Sequence, residues 1–549
     1  MQYCYGLSVV KRGAPASGVR ETAHMPTSTR VRGSTNRREA WPPAVRPWLA
    51  AAIVAVLLPA AAACGGGDDD TDPTAGTSAT VESGAGGEDE VEEEVEAQAF
   101  VTRPDLTPPV IDVTVDAPGT GYYFLAPKQA GAQQGPLIMD GRGEVVWSQP
   151  SEQSVADFRV QTYRGEPVLT WFEGRSLGGY GEGEFVIADT SYDEVARVAA
   201  GNGLAGDLHE FQLTDAGTAL ILAYELEPAD LTPVDGPADG YQLDNYVQEI
   251  DVETGRVLFE WRAHDHVPVE DTYSELVPDA AATEDDRDED GSEKAPFDWF
   301  HANSVTEDGD DTLLVSARNT HAIYAIDRRT GDVRWTLGGR SSDFTLDDDA
   351  RFTWQHDARR LPDGTLSLFD NQANPPTAER SRGLVLALDE DAGTARVARE
   401  WVPPDDVLAG SQGNTQVLED GGAVVGWGSE GRVTEYGPDG EIVFDATWYP
   451  ADSYRVFRAS WTGRPTSPPD VVARPGDGGI EVFASWNGAT DVVEWRVLGG
   501  DDPGALEVLD AVPRDGFETA VVVDEVDHVA VEALDAEGEV LATSGPVAP

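Results

Sequence analysis

The sequence predicts an all-β protein, built as a six-bladed β-propeller followed by a small β-sandwich of the immunoglobulin or fibronectin-III type. The 549 residues include 58 Gly and 36 Pro, and short β-branched runs separated by Gly and Asp turns replace helical periodicity. A Gly turn followed closely by Val or Ile and an aromatic residue recurs along the chain. Six such units, at intervals of roughly 40 to 75 residues, indicate propeller blades.

The six units share this order of turn, apolar strand and aromatic or apolar end. They are Gly141–Trp147, Asp193–Val198 (a degenerate copy), Gly255–Trp261, Gly331–Trp335, Arg396–Trp401 and Gly440–Phe444. Their irregular spacing indicates insertions. The clearest, Pro278 to Pro296, is acidic and lacks apolar periodicity, which predicts a solvated loop beside the entrance of the site described below.

Two domains follow from the change of pattern after Arg464. We assign residues 104–464 to the propeller and residues 468–549 to the sandwich, with a Pro-rich linker between them. Strict alternation resumes at Ile480–Asn487, and a Trp in this early strand is typical of the sandwich class. No residue pattern in this second domain indicates chemistry.

The charge balance is strongly acidic. The formal net charge is -62, and such a surface repels polynucleotides, so we expect no nucleic-acid partner. The two cysteines, Cys4 and Cys64, both precede the predicted folded region. We therefore expect no disulfide within that region.

The N-terminal segment, residues 1–63, is predicted to be a signal peptide. Its apolar run Trp48–Ala63 is shorter than a membrane span and stops at Cys64, which favours a lipoprotein signal over simple secretory cleavage or an uncleaved anchor. The long basic stretch before it suggests that translation starts at Met25. Residues 64–103 are acidic and poor in large apolar side chains, which predicts a disordered tether. The protein would then be exported and held on the outer face of the cytoplasmic membrane.

Replacing Cys64 tests this localisation. Lipid attachment requires the thiol, so Cys64→Ser is expected to release the protein from the membrane fraction into the medium. Fractionation followed by immunoblotting measures the shift. Unchanged membrane association of Cys64→Ser would contradict the lipoprotein prediction.

The stretch from Phe297 to Asn371 concentrates the residue types that carry chemistry. It contains Asp298-Trp299-Phe300-His301-Ala302-Asn303-Ser304, then Ser316-Ala317-Arg318, then Gln355-His356-Asp357-Ala358-Arg359, and finally Phe369-Asp370-Asn371. Alternate side chains of a strand share a face. This predicts that Trp299, His301 and Asn303 project together, and likewise Phe352, Trp354 and His356. An arginine between two histidine strands predicts an anion site that contains a nucleophile.

These motifs, in this order and spacing, resemble the bacterial arylsulfotransferases that do not use PAPS and that are built on a six-bladed propeller. The resemblance covers roughly Pro104 to Arg464. It implies transfer of a sulfuryl group from an aryl sulfate ester to a phenol. Matched to the family motif, His356 would be the nucleophile that is transiently sulfated, and Arg318 would bind the sulfonyl oxygens.

The resemblance implies further roles for residues around this pair. His301 and Asn303 would donate hydrogen bonds to the sulfonyl group and the leaving oxygen, and His209 matches the remaining histidine of the family's central site. The aromatic side chains expected to stack on the aryl group are Trp299, Phe352 and Trp354. His321 is expected to lie off the catalytic face.

Other readings of the sequence stay open. One is a non-catalytic surface propeller that binds a ligand or a protein. A quinone-dependent dehydrogenase propeller is a third class, but its stacked-tryptophan motifs and acidic Ca²⁺ cluster are not found. No P-loop, dinucleotide fingerprint or Cys/His metal cluster occurs, so we expect no cofactor and no metal ligands. The expected partners are a small aryl sulfate, a phenol and, through the lipid anchor, the membrane.

Overall fold

The computed structural model describes residues 97–117, 121–128, 133–276 and 291–549. Cys64, the signal peptide and most of the tether and of the acidic insertion lie outside these ranges, so what the sequence indicates about them stays a prediction. Within the described chain nearly all regular structure is β-strand, and the all-β prediction is confirmed. None of the helices in these ranges is long and apolar enough to cross a membrane.

Twenty-six strands lie between residues 112 and 459. In chain order they are β1 Asp112–Val115, β2 Tyr122–Leu125, β3 Leu137–Met139, β4 Val145–Ser148, β5 Ser154–Tyr163, β6 Glu166–Ser176, β7 Gly181–Ala188, β8 Glu194–Val198, β9 Phe211–Leu213, β10 Thr218–Ala229, β11 Gly240–Asp251, β12 Arg256–Arg262, β13 Ala302–Glu307, β14 Thr312–Ala317, β15 Ala322–Asp327, β16 Val333–Gly338, β17 Thr345–Leu346, β18 His356–Arg360, β19 Leu366–Asp370, β20 Arg382–Asp389, β21 Thr394–Trp401, β22 Asn414–Val417, β23 Ala423–Gly426, β24 Arg432–Tyr436, β25 Ile442–Thr447 and β26 Phe457–Ala459. Five single-turn 3₁₀ helices accompany them: Thr232–Val234, Ala263–Asp265, Val269–Asp271, Asp348–Ala350 and Gly428–Glu430.

These strands form six sheets, in which neighbouring strands are antiparallel except for the short parallel pair β17 and β21. Four sheets are β5–β8, β9–β12, β13–β16 and β18–β21, the last with β17 added at its outer edge. The remaining two combine distant parts of the chain, because β26 joins β2–β4 and β1 joins β22–β25. The strands β5, β9, β13, β18 and β22 each contact the preceding sheet, and β23 contacts β26, so the contacts close into a ring.

Neighbouring side chains of one strand point to opposite faces of its sheet and belong to two different apolar cores. Each sheet therefore packs face to face against the sheets on both sides. In β14, Leu313 and Val315 belong to one apolar cluster while Leu314 belongs to another. β15 divides in the same way, with Tyr324 in the first cluster and Ile323 in the second. A strand that is buried on both faces carries an unbroken apolar run.

A second group of seven strands follows residue 470. They are β27 Asp470–Gly476, β28 Gly479–Ser485, β29 Glu494–Gly500, β30 Glu507–Pro513, β31 Glu518–Val523, β32 His528–Leu534 and β33 Val540–Thr543. They form a three-stranded sheet, β27-β28-β31, and a four-stranded sheet, β30-β29-β32-β33. A shared core that includes Val482 and Trp495 lies between them. The predicted domain boundaries stay predictions.

A charged cluster fills the centre of the ring. It consists of three arginines and three carboxylates: Arg159, Arg359, Arg455, Asp157, Glu210 and Asp357. The fully buried Arg455 donates to Asp157 at 2.8 Å and to the Asn303 carbonyl at 2.8 Å. Burial alone would raise the pKa of Glu210, but the three arginines hold that pKa at about 2. Removing one member of such a buried pair typically costs about 3–5 kcal/mol.

Two predicted strand segments are wrong at the centre. β13 begins at Ala302 and β18 begins at His356, so Trp299 and His301, like Phe352 and Trp354, precede their strands. His301 and Trp354 both have a φ of +57°, and this left-handed backbone breaks the extended geometry that alternation requires. The predicted sharing of a face within each triplet therefore does not apply.

Candidate active site

The three predicted histidines lie at the same end of three successive inner strands. His209 lies two residues before β9, His301 immediately before β13, and His356 is the first residue of β18. Arg318 directly follows β14, which is antiparallel to β13 and so returns the chain to this end. The Arg318 N–H donates to the His301 carbonyl at 2.9 Å, which fixes the two segments against each other.

Ring contacts bring the histidines together around two buried tyrosines. The centroids of His209 and His301 are 5.0 Å apart. The Tyr454 ring lies 5.3 Å from His209 and 6.5 Å from His356, so it separates those two imidazoles. The exposed fractions of His209, His301 and His356 are 3%, 9% and 1%. The site is therefore a shielded cluster of imidazoles, in which electrostatic effects are large.

The hydrogen bonds of His356 define which of its nitrogens carries the lone pair. The Asn371 amide donates through Nδ2 to the carbonyls of Ala409, at 3.1 Å, and Gln412, at 3.0 Å. Its Oδ1 must therefore be the acceptor that faces His356 Nδ1 at 2.8 Å, so Nδ1 carries the proton. The lone pair lies on Nε2, where the Gln412 backbone N–H donates weakly at 3.3 Å.

The surroundings of His356 keep its imidazole neutral. Burial lowers its pKa well below 6.5, and the positive charge of Arg318 lowers it further. The Asn371 contact acts in the opposite direction and is outweighed. A neutral imidazole with a defined Nε2 lone pair is a competent nucleophile at neutral pH.

The other two histidines are each held by a carboxylate on Nδ1. His209 pairs with Asp207 at 2.5 Å, and Asp207 is itself fixed by the backbone N–H groups of His209 and Gly181. His301 pairs with Asp298. Among the described residues neither Nε2 atom has a hydrogen-bond partner. Each imidazole is thus oriented by its carboxylate and has its Nε2 available to a ligand.

Arg318 is a partly buried cation without an acidic partner among the described residues. Its guanidinium lies 4.8 Å from the centroid of the Trp354 ring and donates to the Asn319 side chain at 2.9 Å and the Gly410 carbonyl at 3.4 Å. In the described part of the chain it forms no ion pair. Burial lowers its pKa, whereas the Asp298 carboxylate, already bound to His301, raises it. An unpaired buried cation is costly, which makes this position suited to an anionic ligand.

The remaining predicted residues have different surroundings. The Asn303 side chain is fully buried, with Nδ2 donating to the Gln355 carbonyl at 2.7 Å and Oδ1 without a partner in the described chain. Trp299 and Phe352 belong to apolar cores, so this structure does not place them as substrate contacts. Trp354 alone of the predicted aromatics lies against Arg318. His321 packs edge-on to Trp354 with a centroid distance of 4.3 Å.

Sequence reasoning did not identify the residues that orient the histidines. Asn371 and Asp298 lie within the quoted motifs, and Asp207 lies two residues before His209, so these positions were the available signal. The two tyrosines, Tyr224 and Tyr454, had none, because both lie far in sequence from the histidine motifs that they contact. Within the described residues no group of three or more His, Cys, Asp or Glu side chains is arranged to hold a metal ion.

Comparisons with solved structures give only distant similarity. A protein of unknown function from Bacteroides caccae is 13% identical, with a TM-score of 0.35, and the match covers 62% of this chain and 99% of that chain. A catalytically inactive virginiamycin B lyase from Staphylococcus aureus is 10% identical, with a TM-score of 0.28, over 73% of this chain and 97% of that one. The Cps50 (Swd1) β-propeller domain from Myceliophteria thermophila is 10% identical, with a TM-score of 0.28, over 61% and 97%. Scores this low carry no argument.

The family comparison is specific. No curated protein matches the chain. A family model described as arylsulfotransferase (ASST) matches residues 159–448, which is more than half of the chain and includes all three histidines and Arg318. The chain therefore belongs to the arylsulfotransferase family.

Proposed function

We propose that this protein transfers a sulfuryl group from an aryl sulfate ester to a phenol, through a covalent intermediate on His356. Membership of the arylsulfotransferase family supports an activity of this general kind. The observation that carries the proposal is the partly buried Arg318 guanidinium, without an ion-pair partner among the described residues, beside an imidazole whose Nε2 lone pair is fixed. A sulfonyl group offers the oxygen charge that such a cation binds.

The first half-reaction forms an N–S bond. His356 Nε2 attacks the sulfur of the donor, the bond from sulfur to the aryl oxygen breaks, and its electron pair goes to the leaving phenolate. Arg318 binds the sulfonyl oxygens during this step. The Nδ1 proton of His356 stays on the ring, held by the neutral Asn371 amide, so the sulfated ring remains electron-poor and able to leave again.

The second half-reaction is the reverse of the first, with the oxygen of the acceptor phenol in place of that of the donor. The acceptor phenol attacks sulfur, the N–S bond breaks, and its electron pair returns to His356 Nε2. We assign the proton transfers to His301, which starts the cycle doubly protonated. Its Nε2 proton goes to the leaving phenolate, and Nε2 then takes the proton of the incoming phenol, which restores the starting state. Its partner Asp298 is 30% exposed, whereas the Asp207 side chain is fully buried, so exchange with solvent favours the His301 pair.

A chromogenic donor tests the proposal directly. With 4-nitrophenyl sulfate alone we expect release of one equivalent of 4-nitrophenol and a protein about 80 Da heavier by intact mass, since the donor leaves an SO₃ unit behind. Adding phenol should convert this burst into continuous turnover. If no aryl sulfate forms the adduct, the proposal fails and a non-catalytic binding role becomes the better explanation.

The pH dependence of adduct formation reports on His356. Because its pKa is held well below 6.5, we expect single-turnover adduct formation to persist below pH 6.5 and to fall only at more acidic pH, where the ring protonates. Asn371→Asp puts a carboxylate on Nδ1, which stabilises the imidazolium and raises that pKa. The acidic limb of the variant should therefore move to higher pH, whereas an unchanged limb would contradict the assignment of Nδ1 to Asn371.

A further inference from the structure

We infer that the turn between β6 and β7, Leu177 to Tyr180, forms the wall of the active site that selects the aryl group, with Tyr180 as its aromatic contact. This inference rests on the proposed function and adds to it a determinant of substrate class. It arises from the geometry of the turn, its contacts with two of the histidines and the surroundings of the Tyr180 ring.

The turn is tight and its shape requires glycine. β6 and β7 pair up to Ser176 and Gly181, and the Leu177 N–H donates to the Tyr180 carbonyl at 2.8 Å. Gly178 has a φ of +76° and Gly179 a φ of +126°, conformations that other residues rarely adopt. The turn therefore holds Tyr180 in a defined position at the end of a long hairpin.

The tip of this turn lies over His301. A Cβ atom added to Gly179 would be 3.8 Å from His301 Cε1, and one added to Gly178 would meet nothing within 4 Å. The turn thus approaches the imidazole through backbone alone. Because neither glycine carries a side chain, the space beside His301 stays available to a ligand.

A column of parallel rings leads from the turn to the histidines. Tyr180 stacks on Tyr224 with centroids 5.6 Å apart and planes at 11°, and Tyr224 stacks on His209 at 5.7 Å and 19°. The Tyr224 hydroxyl donates to the Ala302 carbonyl at 2.6 Å, which locks the middle ring. His301 meets Tyr224 edge-on, at 5.8 Å. The site therefore has an uncharged aromatic side, formed by these rings, and a positively charged side, formed by Arg318.

Tyr180 is the member of this column that is open to a ligand. Its side chain is half-buried, whereas Tyr224 and His209 are buried, and its hydroxyl has no hydrogen-bond partner in the described ranges. The same hairpin is connected to His209 by hydrogen bonds. The Gly181 N–H donates to Asp207 at 2.7 Å, and Asp207 pairs with His209 Nδ1. A fixed, partly exposed phenol ring at the end of a column that reaches His209 suits contact with the planar ring of an aryl ligand.

The contribution of the ring contact to binding affinity can be separated from that of the anion contact with three sulfonates. None of the three can transfer a sulfuryl group. Methanesulfonate carries the oxyanion alone, benzylsulfonate adds a planar ring, and cyclohexylmethanesulfonate adds a saturated ring of similar size. By calorimetric titration of the full chain, we expect benzylsulfonate to bind about tenfold more tightly than cyclohexylmethanesulfonate, because aromatic pairs gain a contribution beyond burial. Tyr180→Leu should remove this preference and leave methanesulfonate binding unchanged.

Two further variants control this experiment. Tyr180→Phe keeps the ring and should keep the preference. Tyr163→Leu makes the same change at the opposite end of the sheet, at the end of β5, and should behave as the wild type. Circular dichroism and thermal unfolding establish that each variant is folded.

The outcomes distinguish this inference from the proposed function. If Tyr180→Leu retains the full preference for benzylsulfonate, the aryl-wall assignment is overturned, even where the wild type forms the sulfated adduct. If the preference disappears in Tyr180→Leu but no aryl sulfate ever sulfates the wild type, the aryl wall stands and the transfer proposal fails. A wild type that binds all three sulfonates equally also overturns the aryl wall.

Discussion

His356→Ala is expected to abolish both the burst of 4-nitrophenol and the mass increase of about 80 Da, because alanine removes the atom that attacks sulfur. The loss should be complete in intact-mass spectra at any donor concentration, and steady-state transfer to phenol should fall by at least about a thousandfold. Loss of the buried ring also removes the Asn371 contact, so thermal unfolding must be measured alongside. The variant informs the mechanism only in the temperature range where it is folded.

Two controls accompany this variant: rescue with free imidazole, and alanine replacement of a histidine outside the site. Added imidazole should restore release of 4-nitrophenol by His356→Ala without any mass increase of the protein, since the sulfuryl group would then leave on the free imidazole. His528→Ala, in β32 of the second strand group, should retain the wild-type burst. If His356→Ala still gains the sulfuryl mass, the nucleophile is another residue.

Arg318→Ala should leave the nucleophile in place but lower the rate of adduct formation about a hundredfold, or roughly 3 kcal/mol. The cause is the loss of the cation that binds the sulfonyl oxygens as charge develops on them. Single-turnover kinetics at saturating donor measure this effect, because they separate the chemical step from binding. A second consequence follows from electrostatics: the pKa of His356 should rise when the neighbouring charge is removed.

Conservative and remote arginine variants complete this prediction. Arg318→Lys should recover only part of the rate, because an ammonium cannot bind two oxygens side by side as a guanidinium can. Arg334→Ala removes a cation of the same sheet that pairs with Asp327 on the outer strands, and it should not change the rate. A wild-type rate in Arg318→Ala would show that the sulfonyl group binds elsewhere.

The sequence alone determined the class of the fold and indicated the candidate site residues. Gly turns followed by apolar strands and aromatic residues specify β-meanders, since each unit is local in the chain and its signal survives without knowledge of the partners. The motifs around His301, Arg318 and His356 identified the histidines and the arginine because these residue types are rare and recur in a fixed order. His209 was found in the same way, from a shorter motif.

The tertiary structure decided which of these side chains meet and how each is oriented. The left-handed backbone of His301 and Trp354 has no signal in the residue types, so the sequence pattern predicted both segments as continuous strands. The Nδ1 proton of His356 is fixed by Asn371, which is itself held by carbonyl groups about forty residues away, as the hydrogen bonds to Ala409 and Gln412 show.

The aromatic side of the site likewise depends on contacts between distant segments of the chain. Tyr180, Tyr224 and His209 come from two adjacent sheets, and only their packing makes them a column. A local sequence pattern indicates the secondary structure that a segment favours. The orientation of a side chain in the site depends instead on contacts between segments that are far apart in the chain. For this reason the sequence indicated the candidate nucleophile and the cation, whereas the tautomer, the unpaired charge and the ring contacts behind the proposed aryl wall came from the three-dimensional structure.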